Sequence, residues 1–92
     1  MAVIEKKVRI PNKLGLHGRA SARLVGVAAQ FAADIRLRRE EEEAEADCKS
    51  ILDVLSTACA QGTAVTIRAE GEDAAEAIAA LERLLENKFD EE

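Results

Sequence analysis

Residues 62–81 read GTAVTIRAEGEDAAEAIAAL. Within this stretch, residues 63–69 have the strongest β-branched content of the chain, which favours a strand. Gly71 breaks that pattern, and residues 73–76 form a capping box, a sequence signature of a helix N-terminus. Apolar residues then recur at helical spacing on one face. We therefore predict a strand, a break at Gly71 and a helix over residues 74–87.

Three segments with regular patterns lie further upstream. Residues 3–10 mix apolar and charged positions in a way that suits a half-buried strand. Residues 20–31 place their apolar side chains on one face of a helix. Residues 34–39 alternate between arginine and aliphatic side chains, which predicts a second strand.

The middle of the chain predicts a hairpin and a short helix. Four glutamates at residues 40–43 are unusual turn residues, and a weaker strand pattern follows over residues 44–48. Ser50 and Asp53 form the two ends of another capping box, so a helix is expected from there to about Cys59.

The predicted order of elements is therefore β-α-β-β-α-β-α. Because each helix has only one apolar face, we predict an α+β fold in which three helices cover one face of a four-stranded antiparallel sheet. The length of 92 residues suits a single domain, residues 1–92. The tail, residues 88–92, is expected to fray.

The charge is distributed unevenly along the chain. Residues 1–39 contain nine Lys or Arg and two acidic residues, whereas residues 40–92 contain four Lys or Arg and sixteen acidic residues. The net charge of −5 and the scarcity of aromatic residues argue against nucleic-acid binding. The basic half could present a local face to phosphate or to acidic proteins, unless folding mixes the two halves on the surface.

Composition also bears on location and on cofactors. No segment is apolar and long enough to span a bilayer, and the N-terminal residues lack the pattern of a signal peptide, so we expect a cytoplasmic protein. Cys48 and Cys59 are too few for a disulfide framework and too widely spaced for a short metal-binding motif. We expect two reduced thiols in or near the core, and neither a metal nor a cofactor.

The most informative site surrounds His17, the only histidine, which has Gly15 and Gly18 on either side. A histidine imidazole is largely neutral at pH 7 and can act as a nucleophile without a general base. The first N–H groups of the following helix have no partners within it, and Arg19 and Arg23 lie one turn apart on one helical face. A nucleophile, N–H donors and guanidinium groups together make a candidate phosphoryl-accepting site.

Each of these features also has an ordinary structural explanation. A single histidine in a loop is more often a plain surface residue. Arg19 and Arg23 can be solvated helix residues, and the glycines can serve turn geometry alone. It is the combination that favours phosphoryl chemistry.

The chain also resembles a known family. Its segments GLHGRASARLV and CKSILDVLSTACAQGTAVTIRAEGEDAAEAIAAL resemble the HPr family, the histidine-containing phosphocarriers of the bacterial phosphoenolpyruvate:sugar phosphotransferase system. The resemblance covers about residues 3–88. It rests on the motif G-L-H-x-R at residues 15–19 and the motif K-S-I at residues 49–51.

This resemblance implies an open-faced β-sandwich and a phosphoryl carrier that is not itself an enzyme. His17 would accept a phosphoryl group at Nδ1 from phosphorylated enzyme I and pass it to an EIIA domain. Arg19 would stabilise that group, with Gly18 and Arg23 as further phosphate-binding residues.

The second motif implies regulation and docking. Ser50 matches a serine that an HPr kinase/phosphorylase modifies in many relatives. Ile51, Leu52 and Leu55 match an exposed apolar patch that docks partner proteins. A monomer is expected, with no nucleic-acid partner and no membrane insertion.

Three residues depart from the family pattern. Ala20 replaces a usual proline, Gly18 a common alanine and Asp53 a small residue that is usually glycine. Three functions therefore stay open: a phosphocarrier for sugar uptake, a regulatory paralogue that acts by phosphorylation-dependent protein binding, and an α+β domain with an incidental histidine.

Overall fold

The computed structural model describes residues 2–91. Its elements follow the predicted order and end in a short 3₁₀ turn. They are β1 (Val3–Arg9), α1 (Gly18–Ala28), β2 (Asp34–Arg39), β3 (Ala46–Asp47), α2 (Ile51–Ser56), β4 (Ala64–Glu70), α3 (Ala74–Glu86) and the 3₁₀ turn (Lys88–Asp90).

The sheet is antiparallel throughout, with strand order β1-β4-β2-β3. The segment richest in β-branched residues, β4, lies between β1 and β2, where both of its edges are paired. Glu70 lies opposite Val3 on one side and opposite Asp34 on the other. The predicted α+β open-faced sandwich is confirmed.

The core lies between one face of this sheet and the helices. On β2, Ile35 and Leu37 are fully buried, while the intervening Arg36 is on the opposite, charged face. Burying one such aliphatic side chain stabilises the fold by about 1.5–3 kcal/mol. The buried residues of α3 recur at helical spacing, and they are Ala74, Ala77, Ile78, Leu81 and Leu85.

Several predicted boundaries shift. α1 begins at Gly18 rather than Ala20, α2 ends at Ser56 rather than near Cys59, and the returning strand contains only two residues. The glutamate run does form the turn before that strand. It is held by its neighbours, since the guanidinium of Arg39 donates to Glu41 at 3.0 Å.

The predicted capping box at Asp73 is wrong. The Asp73 side chain makes no cap bond within α3, and its carboxylate instead accepts the N–H groups of Ala32 and Ala33, each at 2.8 Å. These two bonds fix the start of α3 against the chain that enters β2. Because the carboxylate already accepts these two hydrogen bonds, it does not also cap the first N–H groups of its own helix.

The expectation that residues 88–92 fray is also wrong for the described part, residues 88–91. Phe89 is fully buried in the core, although its backbone has φ +56°. Burial of this large side chain holds the tail against the domain. Residue 92 lies outside the described residues. We refer below to residues 88–91 as the 88–91 turn.

Folding mixes the basic and acidic parts of the sequence on the surface. Lys6 pairs with Glu82 at 3.4 Å, and Lys7 with Glu40 at 3.8 Å. The large charge asymmetry of the sequence therefore does not by itself define a basic face.

The cysteines are buried and unpaired, as predicted. Burial, together with the nearby charge of Asp47, raises the pKa of the Cys48 thiol to about 12. This thiol therefore stays protonated at neutral pH and behaves as a small apolar residue. In the part of the chain that is described, no helix has the length and apolar character needed to cross a membrane.

Candidate functional site

His17 is the N-cap residue of α1. Its backbone is extended, with φ −77° and ψ −176°, and its carbonyl accepts the N–H of Ser21 at 2.8 Å, which is the first bond of the helix. The His17 side chain does not cap the helix. Within residues 2–91, the N–H groups of Gly18, Arg19 and Ala20 consequently have no backbone acceptor, and they are available to an anion.

The loop before the helix is held rigidly against the segment that follows α2. Gly15 has φ +66°, and a Cβ at this position would lie 2.2 Å from the carbonyl oxygen of Cys59. The N–H of Leu16 donates to the same oxygen at 2.9 Å, and the Ser21 hydroxyl donates to the Leu16 carbonyl at 3.0 Å. Only glycine fits at residue 15, and this close approach fixes the position of His17.

The imidazole of His17 contacts the 88–91 turn. Its Nε2 forms a hydrogen bond with Oε2 of Glu91, a residue 74 positions further along the chain. Because an ionised carboxylate has no proton to give, the ring nitrogen is the donor. The His17 side chain is 28% exposed, so a reaction partner can still reach the ring.

Asn12 holds the other oxygen of this carboxylate. Its Nδ2 group donates to Glu91 Oε1 at 2.7 Å and to the carbonyl of Gly15 at 2.8 Å. Asn12 is fully buried. One amide therefore connects the loop that carries His17 to the carboxylate that faces its ring.

The charge on Glu91 is favoured by these contacts. Burial works against ionisation, but hydrogen bonds from Asn12 and His17 and the charges of His17 and Arg19 outweigh it, so the pKa of Glu91 lies below its ordinary value. The site therefore contains a carboxylate, and not a carboxylic acid, at neutral pH.

The two arginines predicted to bind phosphate differ in their surroundings. Arg23 donates to the carbonyl of Phe89 and lies 3.8 Å from the Asp90 carboxylate, so it is engaged with the 88–91 turn. Arg19 is exposed and forms no hydrogen bond or ion pair with any residue in the range 2–91. Of the two, Arg19 is the guanidinium that can turn towards an incoming anion.

Gly18 begins α1 next to the histidine. It is exposed, and a Cβ there would meet no atom of the described residues within 4 Å. Its backbone N–H can thus approach a bound group, but its lack of a side chain is not required by packing.

Ser50 is the N-cap of α2, as its capping box predicted. Its hydroxyl accepts the N–H of Asp53 at 3.2 Å. The reciprocal bond of a capping box is absent from the described contacts, because the Asp53 carboxylate accepts the N–H of Asp47, also at 3.2 Å.

The predicted docking residues all lie on the surface of α2. Ile51 is 43% exposed, Leu52 77% and Leu55 38%. Leu14, which is 71% exposed in the loop that leads to His17, was not predicted from the sequence as part of this surface. An exposed leucine directly before a glycine in a turn carries no periodic signal, so the sequence pattern could not single it out.

Asn12 and Glu91 were missed as well. Asn12 reads as ordinary turn chemistry after Pro11, and Glu91 reads as part of an acidic tail. The sequence signal that this segment returns to the domain is Phe89, an apolar residue within a charged tail. In the structure its side chain is buried.

The fold and the site together define a small α+β carrier-type domain, with an accessible histidine at the start of its first helix. The chain belongs to the HPr family, because the family model described as "PTS HPr component phosphorylation site" matches residues 4–87. This confirms the family predicted from the motifs. Proteins of this family are phosphoryl carriers of the phosphotransferase system rather than enzymes, and other proteins of that system are their partners.

Individual relatives match over nearly their whole length. The chain is 44% identical to the phosphocarrier protein HPr of Pseudomonas aeruginosa over 92% of this chain and 93% of the relative. It is 40% identical to the phosphocarrier protein HPr of Xylella fastidiosa (strain Temecula1), with 98% and 99% covered.

A solved structure has the same fold. The crystal structure of HPr from Thermoanaerobacter tengcongensis superposes with a TM-score of 0.90 at 39% identity, covering 97% of this chain and 98% of that one. A second structure from the same organism, described as an HPr dimer, matches with a TM-score of 0.74 at 39% identity, covering 89% and 92%.

Proposed function

We propose that this protein accepts a phosphoryl group on Nδ1 of His17 from phosphorylated enzyme I and passes it to EIIA-type proteins. The observation that carries the proposal is the position of His17 as the N-cap of α1. It is part-exposed and is followed by three N–H groups that have no backbone acceptor within residues 2–91. An anion bonded to the ring would lie beside the positive end of the helix, which stabilises negative charge by about 0.3–1 kcal/mol.

Arg19 is the proposed phosphate-binding side chain. It lies in the first turn of α1 and forms no hydrogen bond or ion pair with another described residue. A hydrogen bond between its guanidinium and a phosphoryl oxygen would contribute about 1.5–3 kcal/mol. Gly18 contributes its backbone N–H. Arg23 supports the site less directly, through its bonds to the 88–91 turn.

Partner docking is proposed for the apolar surface of α2. Ile51, Leu52 and Leu55 are large aliphatic side chains that this helix leaves exposed, as expected for the core of a protein interface. Ser50 lies at the edge of the same surface. We propose that an HPr kinase/phosphorylase can modify it, which would add negative charge next to Ile51.

The chain is proposed to act as a single domain, as a monomer and in the cytoplasm. One hydrophobic core includes residues from β2, β4 and all three helices, and Ile4 and Val8 of β1 pack against it, which supports the single domain. Light scattering at micromolar concentration tests the monomer. A stable dimer with α2 buried would contradict it, since that surface could not then meet a partner.

The transfer reaction itself is tested with purified enzyme I and phosphoenolpyruvate. The wild-type chain should take up one phosphoryl group and lose it again when an EIIA domain is added. His17→Ala should still fold, because the side chain is outside the core, but should take up none. Undiminished labelling of His17→Ala contradicts the proposal.

Docking has its own test. Ser50→Asp should bind enzyme I more weakly than wild type, because it adds negative charge beside Ile51 and Leu52, with a difference that shrinks at high salt. Ser56→Asp places the same charge at the far end of α2 and serves as the control. Equal binding of wild type and Ser50→Asp would leave helix capping as the role of this serine.

A further inference from the structure

The 88–91 turn brings a carboxylate to the reacting histidine. The Glu91 side chain is 9% exposed, accepts from Nε2 of His17 and accepts from Asn12 at 2.7 Å. Two independent anchors hold the turn in place: the buried ring of Phe89 and the bond from Arg23 to the Phe89 carbonyl. This contact between a part-buried acid and an imidazole is therefore held in place by the fold, unlike an ion pair on the open surface.

We propose that Glu91 is a positioning residue for phosphoryl transfer: its carboxylate keeps the proton of the imidazole on Nε2 and so leaves Nδ1 as the nucleophilic nitrogen. This inference rests on the proposed function and adds a residue to it. A neutral imidazole carries its single proton on either nitrogen, and a carboxylate hydrogen-bonded to one nitrogen fixes the proton there. The same contact also fixes the rotation of the ring.

The charge state of the acid agrees with this role. The hydrogen bonds from Asn12 and His17 lower the pKa of Glu91 despite its burial, so it accepts hydrogen bonds from both neighbours at neutral pH. Both N–H groups of the Asn12 amide are engaged, one with Glu91 Oε1 and one with the Gly15 carbonyl, so Asn12 does not compete for Oε2. The two oxygens are thereby divided between Asn12 and His17.

The transfer step balances without a proton acceptor. The lone pair of Nδ1 attacks the phosphorus atom, the bond from phosphorus to the donor's leaving atom breaks, and that electron pair stays with the donor. Nε2 keeps its proton, so the ring becomes a phosphorylated imidazolium with a positive charge. The carboxylate of Glu91 lies against that charge and stabilises it as it develops. When the phosphoryl group leaves, the electron pair returns to Nδ1 and the original tautomer is restored.

A competing role for the same contact is that of a lid. If Glu91 merely covered the histidine, its removal would expose the ring and speed phosphorylation. If it positions the ring, its removal slows transfer. The two roles therefore predict changes of opposite sign.

The test uses Glu91→Ala and Glu91→Gln, with Asp90→Asn as the matched control. Asp90→Asn removes the same charge from the same turn. Asp90 does not contact His17, and its carboxylate lies 3.8 Å from Arg23 in a solvent-exposed pair that contributes little. Nitrogen NMR of labelled imidazole at a pH of about 8, above the usual histidine range, reports which nitrogen carries the proton. Wild type and Asp90→Asn should have it on Nε2, and Glu91→Ala should populate both tautomers. Glu91→Gln should be intermediate, because Asn12 and His17 donate to different oxygens of Glu91 and the amide replaces one of these acceptors with an NH2 donor.

Rates of phosphoryl uptake from enzyme I complete the test. Glu91→Ala should be slower than wild type by roughly tenfold to a hundredfold, the effect of one charge-assisted hydrogen bond, while Asp90→Asn stays within twofold. An unchanged or faster rate for Glu91→Ala overturns the inference, whatever the tautomer. The proposed function would survive that result as long as the label is still on His17. A wild-type chain that takes up no label would instead contradict the proposed function itself.

Discussion

The Ser50 hydroxyl accepts the N–H of Asp53 at 3.2 Å and thereby caps α2. Asp53 in turn reaches back to the N–H of Asp47 in β3, so the serine proposed as a phosphorylation site is also a structural residue. A phosphate on this oxygen would have to share the first turn of α2 with the Asp53 carboxylate. It should therefore stabilise the helix less than it would beside a neutral residue.

Replacing Ser50 by alanine should lower the free energy of unfolding by about 1 kcal/mol, because one of the first N–H groups of α2 loses its acceptor. Ser56→Ala is the control, since the Ser56 hydroxyl only donates to the Leu52 carbonyl on the exposed end of the same helix. Urea unfolding of both variants measures the difference. Equal stability of the two variants would show that the cap contributes nothing.

The two glycines beside His17 should respond to alanine in opposite ways. Gly15→Ala must accommodate φ +66° and a Cβ only 2.2 Å from a backbone oxygen, so it should destabilise the protein by roughly 2 kcal/mol or more. Gly18→Ala meets no atom and lies in a helix, so it should stabilise by about 0.5–1 kcal/mol. Thermal unfolding of the pair tests the loop geometry, and similar melting temperatures would contradict it.

Arg19→Ala should slow phosphoryl uptake by roughly tenfold to a hundredfold, because a charge-assisted hydrogen bond to the phosphoryl group is lost. Arg23→Ala should have a smaller effect on the rate and a larger effect on stability, since Arg23 is bonded to the 88–91 turn. Single-turnover transfer from enzyme I compares the two. Equal rates would remove any special role from Arg19.

Asp73 should contribute to stability in a pH-dependent way. Hydrogen bonds from the N–H groups of Ala32 and Ala33 outweigh burial and lower the pKa of Asp73 in the folded state. A group with a lowered folded-state pKa stabilises the fold above its unfolded value of about 3.9 and loses that contribution as the pH falls through its folded value. Asp73→Ala should therefore melt below wild type at pH 7. The gap should narrow as the pH falls below about 4, and a gap independent of pH would contradict the role of the charged form.

The sequence predicted what depends on periodicity and on local motifs. The alternation of Ile35 and Leu37 with arginines was enough to orient β2, and Ser50 was recognisable as a cap from its own neighbourhood. The prediction that Asp73 caps α3 was wrong because the local sequence does not reveal distant partners. Its spacing to Glu76 is that of a capping box, but its partners, Ala32 and Ala33, lie about forty residues away and compete more effectively for the carboxylate.

The sequence likewise predicted the local part of the candidate site but not its distant member. His17, Gly18 and Arg19 are adjacent in the chain, so one motif contains them all. Glu91 joins them only through the tertiary fold, because the burial of Phe89 brings the 88–91 turn back to α1. No local pattern marks a glutamate in an acidic tail as the partner of a distant histidine.

The most direct test of the central claim is to locate the phosphoryl group. After incubation with phosphoenolpyruvate and enzyme I, phosphorus NMR and nitrogen NMR of the labelled chain identify the modified atom. Our account predicts one phosphoryl group per chain, bonded to Nδ1 of His17 and lost in acid. A phosphoryl group on any other residue, or a chain that stays unmodified by an enzyme I active on another HPr-family protein, would contradict it.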